Sequence, residues 1–143
     1  MNLIRYQVSV TIPSSLTNIH DHSFADNQLI SVDLPNSLLR IGEYAFAYND
    51  LASITLPHSV TSIEKCAFFY NKLTSINIPD SVANIGRRAF ASNEINSVTI
   101  GADVDIDSTP TTMGVNEGFK SVYDSEGKSA GTYNYIGGIW IKE

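Results

Sequence analysis

The chain has a single cysteine, Cys66, among 143 residues. An intramolecular disulfide framework and a multi-cysteine metal site are therefore both excluded. Basic residues are few: 9 Lys and Arg stand against 15 Asp and Glu, a net charge of −6. No basic run exceeds Arg87-Arg88, so the chain would repel phosphate backbones, and nucleic acid is not an expected partner. Long hydrophobic runs are missing too. No stretch reaches the ~18 apolar residues that cross a bilayer, so no membrane span is expected. Residues 1–11 (MNLIRYQVSVT) lack the apolar core and small-residue cleavage site of a signal peptide. What the chain does have is hydrophobic material, 43% of its residues, in a length that suits one domain and not two.

That material is ordered by a repeat. Prolines stand at 13, 35, 57 and 79, each 22 residues from the last. The same step relates Phe24, Phe46, Phe68 and Phe90, and also Asn27, Asn49, Asn71 and Asn93. Apolar columns keep the register: Ile12, Leu34, Leu56, Ile78 and Ile100; Leu16, Leu38, Val60 and Val82; Ile19, Ile41, Ile63 and Ile85. One such unit cannot enclose a core around its own apolar face, so the units must stack, each covering the next. Within a unit, Ser31-Val32-Asp33-Leu34 reads as a strand with one face inward, stopped by Pro35. Ile41, Ala45 and Phe46 have the i, i+4 spacing of one or two helical turns. The expected fold is an α/β repeat, a solenoid of 22-residue units made of a short strand and a short helical turn. The phenylalanines should stack down its interior. An amide repeated at a tight turn can bond the backbone of its own and the neighbouring coil, the structural reading of the asparagine column.

Tyr44-Ala45-Phe46, the asparagine three positions on, and the run Ile-Pro-x-Ser-Val/Leu-x-x-Ile together resemble the BspA-like, Treponema pallidum-type leucine-rich repeats. The resemblance covers residues 8–104, about two thirds of the chain. It implies a non-catalytic module of a bacterial or protozoal surface or secreted protein, one that binds extracellular-matrix proteins, other microbes or cell surfaces.

After Val104 the sites due to hold Ile, Ala and Phe hold Asp107, Thr111 and Thr112, so stacking should stop there. From Phe119 the sequence alternates, and Gly137-Gly138 between Tyr135-Ile136 and Ile139-Trp140 reads as a two-residue hairpin turn. Tyr133, Tyr135 and Trp140 would cover the last coil's open edge. The expected organisation is a leucine-rich-repeat solenoid over 1–107, a linker over 108–118 and a C-terminal β-hairpin cap over 119–143, packed on the solenoid. The first residues supply only a partial unit, an uncapped edge through which chains could meet end to end.

No nucleophile, base and orienting group come together, since His20, His22 and His58 lie on unlike columns and His22 shares a column with Cys66 two coils away. An enzyme is not expected, and neither is a cofactor. Asp103, Asp105 and Asp107 share one face of an extended segment, but Ser108 and Gly114 stand where a calcium loop needs Gly and Glu, so no metal site is assigned. Two surfaces are candidates for binding extracellular or cell-surface proteins or glycans. One is the outward strand face, with Ser31, Asp33, Ser53, Thr55, Ser75 and Asn77, although cross-strand pairing that keeps the sheet soluble accounts for it more readily. The other is an aromatic patch of Tyr44, Tyr48, Phe69 and Tyr70, the residue types that anchor interfaces. Phe69 has a second reading as filler for space that Ala25, Ala47 and Ala91 leave in other units. The alternative to an adhesin-type module is a structural or self-assembling fragment of a longer array.

Overall fold

A computed structural model describes residues 8–106 and 118–143. The expectations about residues 1–7, about Asp107 and about most of the linker lie outside the described residues. In chain order the elements are β1 (Val8–Thr11), β2 (Asn18–Ile19), β3 (Leu29–Asp33), β4 (Arg40–Ile41), β5 (Ser62–Ile63) and β6 (Ser75–Ile78). Then come β7 (Asn84–Ile85), β8 (Ser97–Ile100), β9 (Asp105–Ile106), α1 (Phe119–Ser125), β10 (Gly131–Ile136) and β11 (Ile139–Lys142).

The coils stack as a β-solenoid. Down one side runs a five-stranded parallel sheet in the order β2-β4-β5-β7-β9. Down the other, β1 pairs with β3, and β6, β8, β10 and β11 form a second, four-stranded sheet. Parallel partners fall on equivalent columns, Ser9 on Ser31 and Ser75 on Ser97 among them. Period-two alternation explains the burial: Ile76 and Ile78 of β6 are buried while Ser75 and Asn77 face out.

Three expectations need correction. First, the tight segment of each coil is a turn and not a helix: two residues per coil hold positive φ, Tyr44 (54°) and Tyr48 (57°) in one, Cys66 and Tyr70 (both 55°) in the next. Left-handed backbone breaks a right-handed helix. The hydrogen bonds alternate accordingly, Tyr44, Phe46 and Tyr48 N–H donating to Lys65, Ala67 and Phe69 C=O of the next coil, and Ala45 and Ala47 N–H donating within their own. An i, i+4 apolar spacing served a turn that faces the core twice. Second, the long-strand side is split, because Ser53 to Thr55 do not join the ladder between β3 and β6. Third, stacking continues past Val104. Asn84 pairs with Asp105 and Ile85 with Ile106, a step of 21, so a one-residue deletion brings buried Ile106 to the site that a step of 22 assigns to Asp107.

Interior packing follows the columns. Phe24, Phe46, Phe68 and Phe90 stack with centroid separations of 5.2, 5.4 and 5.4 Å and planes within 8° of parallel. The asparagines lace the coils: Asn71 Nδ2 donates to Phe46 O (2.9 Å) and Phe68 O (3.2 Å) while its Oδ1 accepts from Leu51 N (3.1 Å). Asn49 and Asn93 repeat this pattern one coil away on either side. These bonds satisfy main-chain groups that the turns bury, which is why a polar column sits inside an apolar one.

At the C-terminal end, β10 and β11 form an antiparallel hairpin through Gly137-Gly138, and β10 pairs antiparallel with β8. The hairpin thus occupies the edge where another coil's strand would pair. The segment from Phe119 opens with α1 and not with a strand; Phe119, Val122 and Tyr123 have helical spacing, and Phe119 and Tyr123 are buried. Tyr133 and Trp140 complete that aromatic cluster, with Tyr135 half-buried beside them. Tyr123 Oη donates to Gly101 O (2.7 Å) and accepts from Val104 N (3.0 Å), fixing the cap to the last coil's backbone.

Candidate functional site

The left-handed turn positions govern what the exterior can display. Their backbone is tied to the next coil, Tyr48 N to Phe69 O at 2.9 Å and Tyr70 N to Ala91 O at 2.9 Å, and Cys66 is the buried one among them. The two columns hold unlike side chains, His22, Tyr44, Cys66 and Arg88 in one and Asp26, Tyr48, Tyr70 and Ser92 in the other.

In the second column the structure brings Tyr48, Phe69 and Tyr70 together. The Tyr48 and Tyr70 rings lie 5.6 Å apart at 34°, and Phe69 meets Tyr48 edge-on at 5.4 Å and 82°. Tyr48 is 44% and Tyr70 59% exposed, whereas Phe69 is half-buried. Beside them, Lys72 Nζ pairs with Asp50 Oδ1 at 2.6 Å.

Tyr44 is not part of this group. It stands in the first column, stacked on His22 (5.1 Å, 6°) and covered by Lys65 Nζ at 5.4 Å from its ring centre. A hydrogen bond with the Cys66 thiol holds its phenol above the usual value. The surface before that column is charged and interlocked: Arg40 reaches Asp21 (3.2 Å) and Glu64 (3.1 Å), and Lys65 reaches Glu43 (2.7 Å). The Glu43 N–H and the Arg40 guanidinium hold the Asp21 carboxyl below its ordinary value, and Glu43 raises Lys65. Arg40 is raised as well, its partial burial outweighed by the two carboxylates. These contacts join three consecutive coils. Cys66 is buried, and among the described residues no group of His, Cys, Asp and Glu is spaced to hold a metal ion.

The strand-face candidates are not one row. Ser31, Asp33, Ser53 and Thr55 line a shallow groove of about 380 Å³ at the interruption of the ladder, with Ile54 and Pro57. Ser75 and Asn77 lie beyond it on β6, paired with Ser97 and Thr99. Sequence reasoning missed how this face ends. Register places Ile136 opposite Ile139 and Asn134 opposite Ile141, and Thr132 beside Thr99, so the face runs from the coils onto the hairpin. There Ile136 (60%), Ile139 (61%) and Ile141 (45%) are exposed. The alternation around Gly137-Gly138 carried that signal, since Trp140 and Tyr133 inward forces their neighbours outward.

Comparison with known proteins bears on what such surfaces are for. A family model described as a BspA type leucine rich repeat region matches residues 5–109 in six copies. No curated protein matches. Among solved structures, the pneumococcal vaccine antigen PcpA is 33% identical, aligns over 67% of this chain and 25% of its own, and superposes with a TM-score of 0.62. A leucine rich cell surface protein from Faecalibacterium prausnitzii A2-165 is 21% identical, aligns over 92% of this chain and 34% of its own, and has a TM-score of 0.50, a likeness of fold alone. The chain spans between a quarter and about a third of the length of these two proteins. No described helix is long and apolar enough to cross a membrane. The repeat, its asparagine lacing and the matched residues 5–109 together make the chain a member of the BspA-type leucine-rich-repeat family.

Proposed function

We propose that the chain is a non-catalytic binding module of a surface-displayed or secreted protein, of adhesin type, which engages extracellular or cell-surface proteins or glycans. The observation that carries this reading is the exposed Tyr48–Phe69–Tyr70 cluster on a backbone already fixed by inter-coil hydrogen bonds. Rigid aromatic groups held out from a polar exterior supply contact area at small entropic cost. Support for the surface location comes from PcpA, a vaccine antigen 33% identical over 67% of this chain. The strand face, with its groove and its isoleucine end, is the second surface available to the same role.

The test is binding of the purified chain to an immobilised panel of extracellular-matrix proteins and glycans, beside a Tyr48→Ser/Tyr70→Ser variant whose circular dichroism matches the parent. Saturable binding that the double substitution abolishes is the expected result. Binding that survives it moves the site to the strand face, and no binding at all favours a purely structural segment of a longer array.

A further inference from the structure

We infer that Tyr48 and Tyr70 form an aromatic contact site for a neutral oligosaccharide; the inference rests on the binding-module reading and names its ligand class. A pyranose presents a face of C–H bonds, which packs flat on an aromatic ring, and a perimeter of hydroxyls, which needs donors and acceptors around that ring. The two phenol rings stand on consecutive coils with centroids 5.6 Å apart and planes tilted by 34°, and both tyrosines are exposed. The Asp50–Lys72 pair stands two residues further along each coil, with Lys72 exposed and Asp50 half-buried, and would supply the carboxylate and ammonium that such a perimeter needs.

Three features set the class. The site is bounded, because the same column holds Asp26 on the coil before and Ser92 on the coil after, so it is two rings long. It is braced in advance: Phe69 supports Tyr48 edge-on, and both tyrosine backbones are bonded to the next coil, so little ordering remains to oppose a weakly attracted ligand. Its charge is balanced, since the neighbouring cation Lys72 is held by Asp50 at 2.6 Å. A sulfated or phosphorylated chain would have to break that pair and approach a protein of net charge −6, which argues for a neutral sugar.

The experiment is calorimetric titration of the whole chain with neutral tetra- to hexasaccharides of glucose, galactose and N-acetylglucosamine in both linkage senses, with heparin oligosaccharides and the protein panel alongside. Tyr70→Ser, Tyr48→Ser and Tyr70→Phe are compared, each checked for parental circular dichroism. The expected result is saturable millimolar or tighter binding of at least one neutral series, weakened about tenfold or more by either serine substitution. Tyr70→Phe, which keeps the stacking face, should retain it within about threefold. The inference is overturned if no neutral saccharide binds, if binding ignores Tyr70→Ser, or if heparin is preferred. Protein ligands that bind through Tyr48 and Tyr70 while saccharides fail would leave the binding-module reading standing and remove this one; silence from both panels would remove both.

Discussion

Replacing Asn71 by alanine tests whether the asparagine column, and not the apolar columns alone, holds the coils in register. Asn71 is 7% exposed, and its amide is the partner of Leu51 N–H and Phe46 C=O one coil earlier and of Phe68 C=O in its own turn. Alanine removes the amide, but Phe46 C=O keeps Asn49 Nδ2 (3.0 Å) and Phe68 C=O keeps Asn93 Nδ2 (2.9 Å) as donors, so the group it strands is the buried Leu51 N–H. An abandoned buried donor costs about 1–3 kcal/mol, which is the expected loss. Against a domain stability of about 5–15 kcal/mol that is a large fraction. Asn27 supplies the internal control, since it is exposed and, among the described residues, its amide reaches Phe24 O and Ala25 O, both in its own turn. Asn27→Ala should cost about 1 kcal/mol or less. Urea unfolding followed by circular dichroism, with both variants and the parent at equal concentration, gives the two differences. If Asn71→Ala costs no more than Asn27→Ala, the amide lacing contributes nothing beyond local turn geometry and the account of the column is wrong.

Other substitutions probe the rest of the packing. Phe68→Ala opens the middle of the ring stack, where both faces are covered, and should cost about 3–5 kcal/mol in the same assay; Phe24→Ala, half-buried with one stacked neighbour, should cost clearly less. A methyl group at position 86 would stand 2.5 Å from Lys65 N and 2.7 Å from Glu64 C, main-chain atoms that cannot swing aside, so Gly86→Ala should destabilise by about 1–3 kcal/mol. Burial raises the phenols of Tyr123 and Tyr133 above the ordinary value of 10.0. A raised folded-state value means stability that is complete below the unfolded value and is lost as pH rises through the folded one. Thermal melts should therefore hold steady to about pH 10 and fall above it, while absorbance at ~295 nm shows part of the tyrosine signal titrating late and together with unfolding. Loss of stability well below that range, with the two phenols ionising like free tyrosine, would contradict the buried cap.

How much of this was legible in the sequence depended on whether the signal was periodic. Columns repeated four times or more, such as Phe24 to Phe90 and Ile19 to Ile85, gave the solenoid, its core and its parallel register, because stacking forces equivalent positions together. Where one periodicity serves two backbones, the sequence misled: Ala45 and Phe46 following Ile41 suit a helical turn and a left-handed turn alike, and only the positive φ at Tyr44 and Tyr48 separates them. A single deletion was also invisible to a fixed step, which placed Asp107 where Ile106 belongs. For the candidate surfaces, residues on one column could be expected to meet, as Tyr48 and Tyr70 do. Tyr44 looked adjacent because it is four positions from Tyr48, yet both are left-handed corners of the same turn, and it faces His22 and Lys65 instead. The isoleucine end of the strand face was missed because it depends on hairpin-to-coil pairing, a contact between segments about 33 residues apart as in Thr99 and Thr132.

The central claim, that this coil stack is a scaffold presenting Tyr48 and Tyr70 to a ligand, is tested most directly by titrating isotope-labelled chain with the tightest ligand from the panel and following backbone and tyrosine-ring resonances. The account predicts shifts concentrated at Tyr48, Phe69, Tyr70, Asp50 and Lys72, with the strand face and hairpin unmoved. Shifts centred on Ser31, Asp33, Ser53 and Thr55, or on Ile136, Ile139 and Ile141, with the tyrosines silent would contradict it.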